Sequence, residues 1–111
     1  MKLKIERGDI WWVNLEPTRG AEIRTQRPCV VLSANAVNRW RVTPVVVPLS
    51  TSPDDAPPVV VAIPSAGRDS VAVVDQVRAV DRSRFVSRSG KLSPGDLGVL
   101  ESALKRVLEL P

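Results

Sequence analysis

An arginine and two hydroxyl residues stand at the ends of two apolar runs. Arg27 directly precedes the run Pro28 to Ser33, and Ser50 and Thr51 directly follow the run Thr43 to Leu49. Cleavage of RNA by its own 2′-hydroxyl builds negative charge on the phosphorus oxygens. A guanidinium and a hydroxyl donor can stabilise that charge without a metal. The pair is therefore a candidate centre for phosphodiester chemistry.

These residues also have ordinary structural interpretations. Arg27 could end a strand and pair with a carboxylate such as Glu22, and Ser50 and Thr51 could cap a turn, as hydroxyls often do. The position of Arg27 favours a binding role, because it follows a polar loop from Glu16 to Gln26. Loops anchored on a rigid sheet are where binding residues concentrate.

A second polar group lies in the segment Asp75-Gln76-Val77-Arg78. We predict one long strand from Ser70 to Val80, whose alternation would place Gln76 and Arg78 on the same face. A glutamine beside an arginine can bind unstacked bases and a phosphate. The alternative is a solvated strand face with no ligand.

The chain has no histidine, no tyrosine and a single cysteine, Cys29. One cysteine excludes an internal disulfide. Its apolar neighbours predict a buried thiol that acts as a small hydrophobe, and without histidine neither a thiol nucleophile nor a zinc site is expected. We therefore expect no cofactor and no metal.

Charge and aromatic residues bear on the partner. The net charge is +4, and most of the 16 basic residues are arginines, whose planar fork suits phosphate recognition. This favours an anionic partner. Trp11 and Trp12 should point to opposite faces of one strand, so one is expected in the core. The other is free to stack on a base or to join a protein interface, and Trp40 is equally open.

Length and pattern predict one mainly β (α+β) domain over residues 1–111. No apolar run approaches the roughly 20 residues that span a bilayer, and no signal-peptide pattern follows Met1, so a cytoplasmic protein is expected. Ser93 should cap a C-terminal amphipathic helix that begins with Pro94. Many short strands with one helix predict a small, strongly bent antiparallel sheet or barrel. The predicted strands are Ile10–Leu15, Pro28–Ser33, Thr43–Leu49, Val59–Ile63, Ser70–Val80 and Phe85–Ser87, with helical turns within Ala34–Arg41 and Asp81–Arg84.

The order of these motifs resembles the MazF/PemK family of toxin endoribonucleases over nearly the whole chain. The resemblance is carried by Arg7-Gly8-Asp9-Ile10, Gly20-Ala21-Glu22, Arg27-Pro28, Leu49-Ser50-Thr51 and Asp75-Gln76-Val77-Arg78. It implies an SH3-like β-barrel with a C-terminal helix and a homodimer. It also implies metal-independent cleavage of single-stranded RNA to 2′,3′-cyclic phosphate and 5′-hydroxyl ends. The implied partners are RNA, a cognate antitoxin and, through the antitoxin complex, promoter DNA.

Within this resemblance the catalytic arginine falls on Arg27 and the catalytic hydroxyl on Ser50, with Thr51 as the near alternative. One departure concerns the loop, where the family's usual glycine pair is replaced by Ile23-Arg24-Thr25-Gln26. Loss of glycine stiffens a loop, and because this loop borders the RNA groove in the family, the resemblance does not define which RNA sequence is cut. The implied RNA-binding residues are Glu22, Arg24, Thr25, Gln26, Gln76 and Arg78.

Three alternatives stay open at this point. A CcdB-like toxin would poison gyrase and leave RNA intact. A non-catalytic SH3-like module would bind nucleic acid without strand scission. A homologue inactivated by its altered loop would share the fold but would not cleave RNA.

Overall fold

The computed structural model of the chain describes residues 3–15, 26–51 and 56–111, which form an antiparallel sheet with a C-terminal helix packed on it. The strands are β1 (Asp9–Asn14), β2 (Gln26–Val31), β3 (Val45–Ser50), β4 (Val60–Ala62), β5 (Val71–Val73), β6 (Arg78–Ala79) and β7 (Phe85–Lys91). The helices are α1 (Asn35–Trp40) and α2 (Pro94–Leu108), and 3₁₀ turns occupy Pro64–Ala66, Val74–Gln76 and Arg82–Arg84.

The strand order is β4-β5-β3-β2-β1-β7, and β6 pairs with the beginning of β3. Among the described residues the two end strands, β4 and β7, are not paired with each other. The antiparallel sheet with its C-terminal helix is therefore confirmed. The closed SH3-like barrel is not confirmed by these pairings.

The central strands are buried on both faces, which their continuous apolar runs predict. On one face Val30 and Val47 pack with Leu100 and Ala103 of α2. On the other face Cys29 belongs to a second core, which also contains Trp11, Val31, Val46, Val80 and Phe85. Two cores hold β2 and β3 in place, so the ends of these strands are well positioned to carry a site.

The start of β1 is fixed by a buried carboxylate. Asp9 is almost fully buried, and its Oδ2 accepts the backbone N–H of Glu6 at 3.0 Å and the indole N–H of Trp11 at 3.3 Å. Its Oδ1 forms an ion pair with Arg88 Nε at 3.2 Å, without hydrogen-bond geometry. The bond from Trp11 commits that indole to the core, because a buried N–H needs an acceptor.

Helix α2 begins where the sequence predicts. The Ser93 hydroxyl accepts the Asp96 backbone N–H at 3.1 Å, and Pro94 opens the helix. Two further contacts join this end to the first 3₁₀ turn. Ser65 donates its backbone N–H to Asp96 Oδ2 at 2.7 Å, and its hydroxyl accepts the Ser93 N–H at 3.0 Å. The short helix α1 and the turn at Arg82–Arg84 also confirm their predictions.

The long strand predicted from Ser70 to Val80 is wrong. The segment forms β5, a 3₁₀ turn at Val74–Gln76 and β6, and the two short strands pair with opposite ends of β3. Pro48 lies inside β3, in the stretch between those two pairings. A proline cannot donate to a ladder, which is consistent with the break.

The last strand is longer than predicted, because β7 continues beyond Ser87 to Lys91. In the part of the chain that the structure describes, no helix is long and apolar enough to span a membrane.

Candidate active site

The pairing of the two central strands directs Arg27 and Ser50 to the same end of the sheet. Cys29 is paired with Pro48 and Val31 with Val46. Arg27, the second residue of β2, and Ser50, the last residue of β3, lie just beyond the last of these pairs. The two candidate catalytic residues thus come from adjacent strand ends, although 23 positions separate them in the sequence.

An open cleft of about 280 Å³ lies at these strand ends. Arg27, Ser50 and Thr51 all line it, together with Gln26, Trp12 and Pro28. Leu49 and Ser70 complete the lining. Arg27 and Thr51 are exposed and Ser50 is half-buried. A guanidinium and hydroxyl groups in one accessible cleft can donate hydrogen bonds to a phosphate from several directions.

The buried thiol next to this cleft is not part of the chemistry. Cys29 is fully buried, as the sequence predicts. Burial raises the pKa of Cys29 to about 12, and the positive charges of Arg78 and Arg27 oppose that rise only in part. A thiol with such a pKa stays protonated near neutral pH and is a poor nucleophile. The opposing effect also indicates that both guanidinium groups are close enough to act on Cys29.

The other predicted RNA-binding residues are distributed differently. Gln26 lines the cleft. Gln76 ends a 3₁₀ turn and Arg78 begins β6, so they do not alternate on one strand. Both are exposed, but neither lines the cleft. Glu22, Arg24 and Thr25 lie outside the described residues.

Four residues of the cleft lining are not predicted site residues, and two of them, Trp12 and Ser70, have side chains that could contact a ligand. Trp12 is 40% exposed, whereas Trp11 is 5% exposed, which confirms that one tryptophan of the pair is core. Ser70 directly precedes β5, so the cleft is also lined from the start of that strand. Alternation shows that Trp12 faces away from the Trp11 core. It does not show where the cleft opens, because that depends on the packing of three strands.

Within 3–15, 26–51 and 56–111, no three His, Cys, Asp or Glu side chains come together in a way that could hold a metal ion.

Comparison with known proteins agrees with this geometry. The sequence model of a family described as "PemK-like, MazF-like toxin of type II toxin-antitoxin system" matches residues 6–108. Endoribonuclease MazF9 of Mycobacterium tuberculosis is 34% identical, with 96% of this chain and 98% of that protein covered. Endoribonuclease toxin MazF of Escherichia coli is 33% identical, with 87% of each chain covered.

A solved structure shares the fold as well. It is described as an endoribonuclease in complex with its cognate antitoxin from a mycobacterial species. Its TM-score to this chain is 0.79 at 25% sequence identity, and the match covers 96% of both chains. The similarity therefore extends over the sheet, the cleft and α2.

Proposed function

Since the chain belongs to the family of PemK-like, MazF-like toxins of type II toxin–antitoxin systems, we propose that it is a toxin endoribonuclease that cleaves single-stranded RNA and is inhibited by a cognate antitoxin. The observation that supports this most directly is that Arg27, Ser50 and Thr51 line one open cleft at the ends of two paired strands. The CcdB-like gyrase poison is disfavoured, because a poison needs no guanidinium–hydroxyl pair.

In this proposal the nucleophile is the RNA's own 2′-hydroxyl. Its oxygen forms a bond to phosphorus, and the bond from phosphorus to the 5′ oxygen breaks. One strand then ends in a 2′,3′-cyclic phosphate and the other in a 5′-hydroxyl. The proton lost by the 2′-hydroxyl goes to a base, and the leaving 5′ oxygen gains a proton. No metal is required by this sequence of steps.

Arg27 stabilises the pentavalent phosphorane, where negative charge is greatest. Hydrogen bonds that strengthen as charge develops lower the barrier, whereas equal binding of the ground state does not. Ser50 or Thr51 orients the scissile phosphate. An arginine side chain rarely gives up its proton, so the general base is another group, with Glu22 and water as the candidates.

The test is cleavage of a long RNA by the purified protein in EDTA, with the cut ends mapped by primer extension. Arg27→Ala should lose cleavage by roughly 100-fold or more, the effect of removing one transition-state donor. Arg41→Ala is the matched control, because Arg41 is an exposed arginine between α1 and β3 and outside the cleft. It should cut at the parental rate.

The same assay separates the two hydroxyls and the rival functions. Ser50→Ala and Thr51→Val are compared, and the larger loss identifies the phosphate-orienting group. A folded Arg27→Ala protein that cuts as fast as the parent would defeat the proposal. If the parent leaves RNA intact in EDTA, the non-catalytic alternatives are favoured.

The assembly is part of the proposal. Family resemblance supports a homodimer, a closed SH3-like barrel and promoter DNA contact through the antitoxin complex. A relative solved with its cognate antitoxin supports an antitoxin partner here. Such a partner would be an acidic segment that folds onto the cleft that contains Arg27. Sedimentation of the purified chain with and without its antitoxin tests both associations. A cytoplasmic location stays a prediction.

A further inference from the structure

Trp12 holds a large apolar surface at the rim of the cleft. Its side chain is 40% exposed and lines the same cleft as Arg27, Ser50 and Thr51. A partly exposed indole offers apolar area that a ligand can cover, and covering that area is favourable. Pro28 and Leu49 line the same cleft.

Strand pairing fixes the backbone at Trp12. Trp12 is paired with Pro28 on one side and with Ser87 on the other, so it stands on a strand flanked by two neighbours. The preceding Trp11 is held in the core by its bond to the buried Asp9. Alternation along β1 then directs Trp12 to the opposite face. A binding residue on a paired strand loses little backbone entropy when it binds a ligand.

We propose that Trp12 is a base-stacking residue, which holds a nucleobase next to the phosphate bound by Arg27 and Ser50. This inference rests on the proposed function. Single-stranded RNA presents unstacked bases, and proteins bind them on aromatic side chains beside a positive groove. The cleft contains an aromatic side chain and a cation, since Trp12 and Arg27 both line it, so the guanidinium can hold the phosphate while the indole covers the adjoining base.

The chain supplies its own control residue. Trp40 is 82% exposed and is therefore more accessible than Trp12. It lines a different cavity, beside Leu3, Ile5 and Arg82, away from Arg27 and Ser50. If any exposed tryptophan increased RNA affinity, removing Trp40 would lower that affinity. If the effect is base stacking beside the scissile phosphate, only removing Trp12 would lower it.

The experiment uses an oligoribonucleotide that spans the mapped cut site. The nucleotide before the scissile phosphate carries a 2′-deoxy sugar, which removes the nucleophile and allows binding to be measured without cleavage. Trp12→Leu should raise Kd about 10-fold or more, since a stacked base contributes strongly to affinity. Trp12→Phe should stay within about threefold because it keeps an aromatic face. Trp40→Leu should bind like the parent.

A second readout separates stacking from a structural role. With 2-aminopurine in place of a base that flanks the cut, binding to the parent and to Trp40→Leu should quench its emission. Trp12→Leu should abolish that quenching even at saturating protein, whereas a merely destabilised variant would quench normally once bound.

Parental affinity and parental quenching in Trp12→Leu would overturn the inference. Loss of antitoxin binding alone in that variant would also overturn it, and would make Trp12 an interface residue. These results leave the proposed function intact if the parent still cuts RNA through Arg27. A parent that cuts no RNA defeats the proposed function and this inference together.

Discussion

At the scale of single residues, two neighbours on one strand have opposite properties. Arg27 and Cys29 lie two positions apart on β2, yet the arginine is exposed and the cysteine is fully buried. The strand leaves the core between them. Burial suppresses ionisation of the thiol, whereas solvent access lets the guanidinium meet a phosphate. Solvent exposure along β2 therefore decides which of the two side chains can meet a ligand.

The buried thiol gives a prediction at this scale. Near pH 8, Ellman's reagent should modify native Cys29 roughly 100-fold more slowly than the same cysteine in denaturing urea, because reaction must wait for the sheet to open. Rapid modification of the native protein would contradict the burial of Cys29.

The same pKa sets a pH dependence of stability. The folded pKa of Cys29 is about 12, against an ordinary value of 9.0. Below the ordinary value the thiol is protonated in both states. As the pH rises from that value towards the folded pKa, only the unfolded chain loses the proton, so this contribution to stability falls. A Cys29→Ala protein should lack this part of the alkaline loss in urea-unfolding curves.

At the scale of elements, the start of α2 is joined to the sheet by side chains. Ser93 caps the helix, and Asp96 accepts a backbone N–H from Ser65 in the first 3₁₀ turn. The carboxylate also lies in the first turn of α2, where the helix dipole favours negative charge. Further along α2, Glu101 pairs with Arg7, and Arg7 also donates to the Leu32 carbonyl at 3.0 Å. These links hold α2 in register with the sheet it covers.

Asp96 gives the prediction for this scale. Asp96→Ala removes an acceptor from the Ser65 N–H and a favourable charge from the helix start. We expect a loss of about 1–2 kcal/mol in the free energy of unfolding. Asp69→Ala is the control, because Asp69 is an exposed carboxylate in the turn before β5. Equal stability of the two variants in urea would show that the Ser65 contact contributes nothing.

The elements also show what sequence pattern can and cannot predict. The cap at Ser93 and the spacing of Leu97, Leu100 and Leu104 are local signals, and they predicted α2 correctly. The segment from Ser70 to Val80 has strand-like composition throughout, so nothing local predicts its break. The break depends on the pairing of both halves with β3 around Pro48. β7 was predicted too short, because Arg88 to Lys91 lies in a largely exposed strand with little apolar signal.

The candidate site shows the same limit. Sequence position and the family resemblance indicate Arg27 and Ser50, and both residues line the cleft at the ends of β2 and β3. The presence of Trp12 in that cleft depends on which face of β1 lies beside the ends of β2 and β3. That is a property of the assembled sheet, and it could not be predicted from alternation alone.

At the scale of the whole molecule, the net charge of +4 favours an anionic partner. Binding of RNA releases counterions, so affinity should fall as salt rises, with a slope of roughly 0.7 per neutralised phosphate on a logarithmic plot. This electrostatic attraction does not depend on the RNA sequence, whereas contacts of the cleft residues with the bases would select among RNA sequences.

Arg78 tests this charge contribution. It is exposed, and it acts electrostatically on Cys29 together with Arg27. With the uncleavable RNA, Arg78→Ala should lower the salt slope by about 0.7, as expected for the loss of one phosphate contact. Arg106→Ala is the control, because Arg106 lies in the last turn of α2. An unchanged slope in Arg78→Ala would remove Arg78 from the RNA-binding surface.

The double burial of β2 and β3 has a consequence for how the protein opens. The side chains of Val30, Val31, Val46 and Val47 are closed to solvent by a core on each face. Deuterium can reach the paired amides of these strands only when both layers separate, which makes this ribbon the last unit to exchange. Arg27 and Ser50 stand at its very end. Opening of β7 alone would therefore leave in place the two strands that carry the pair.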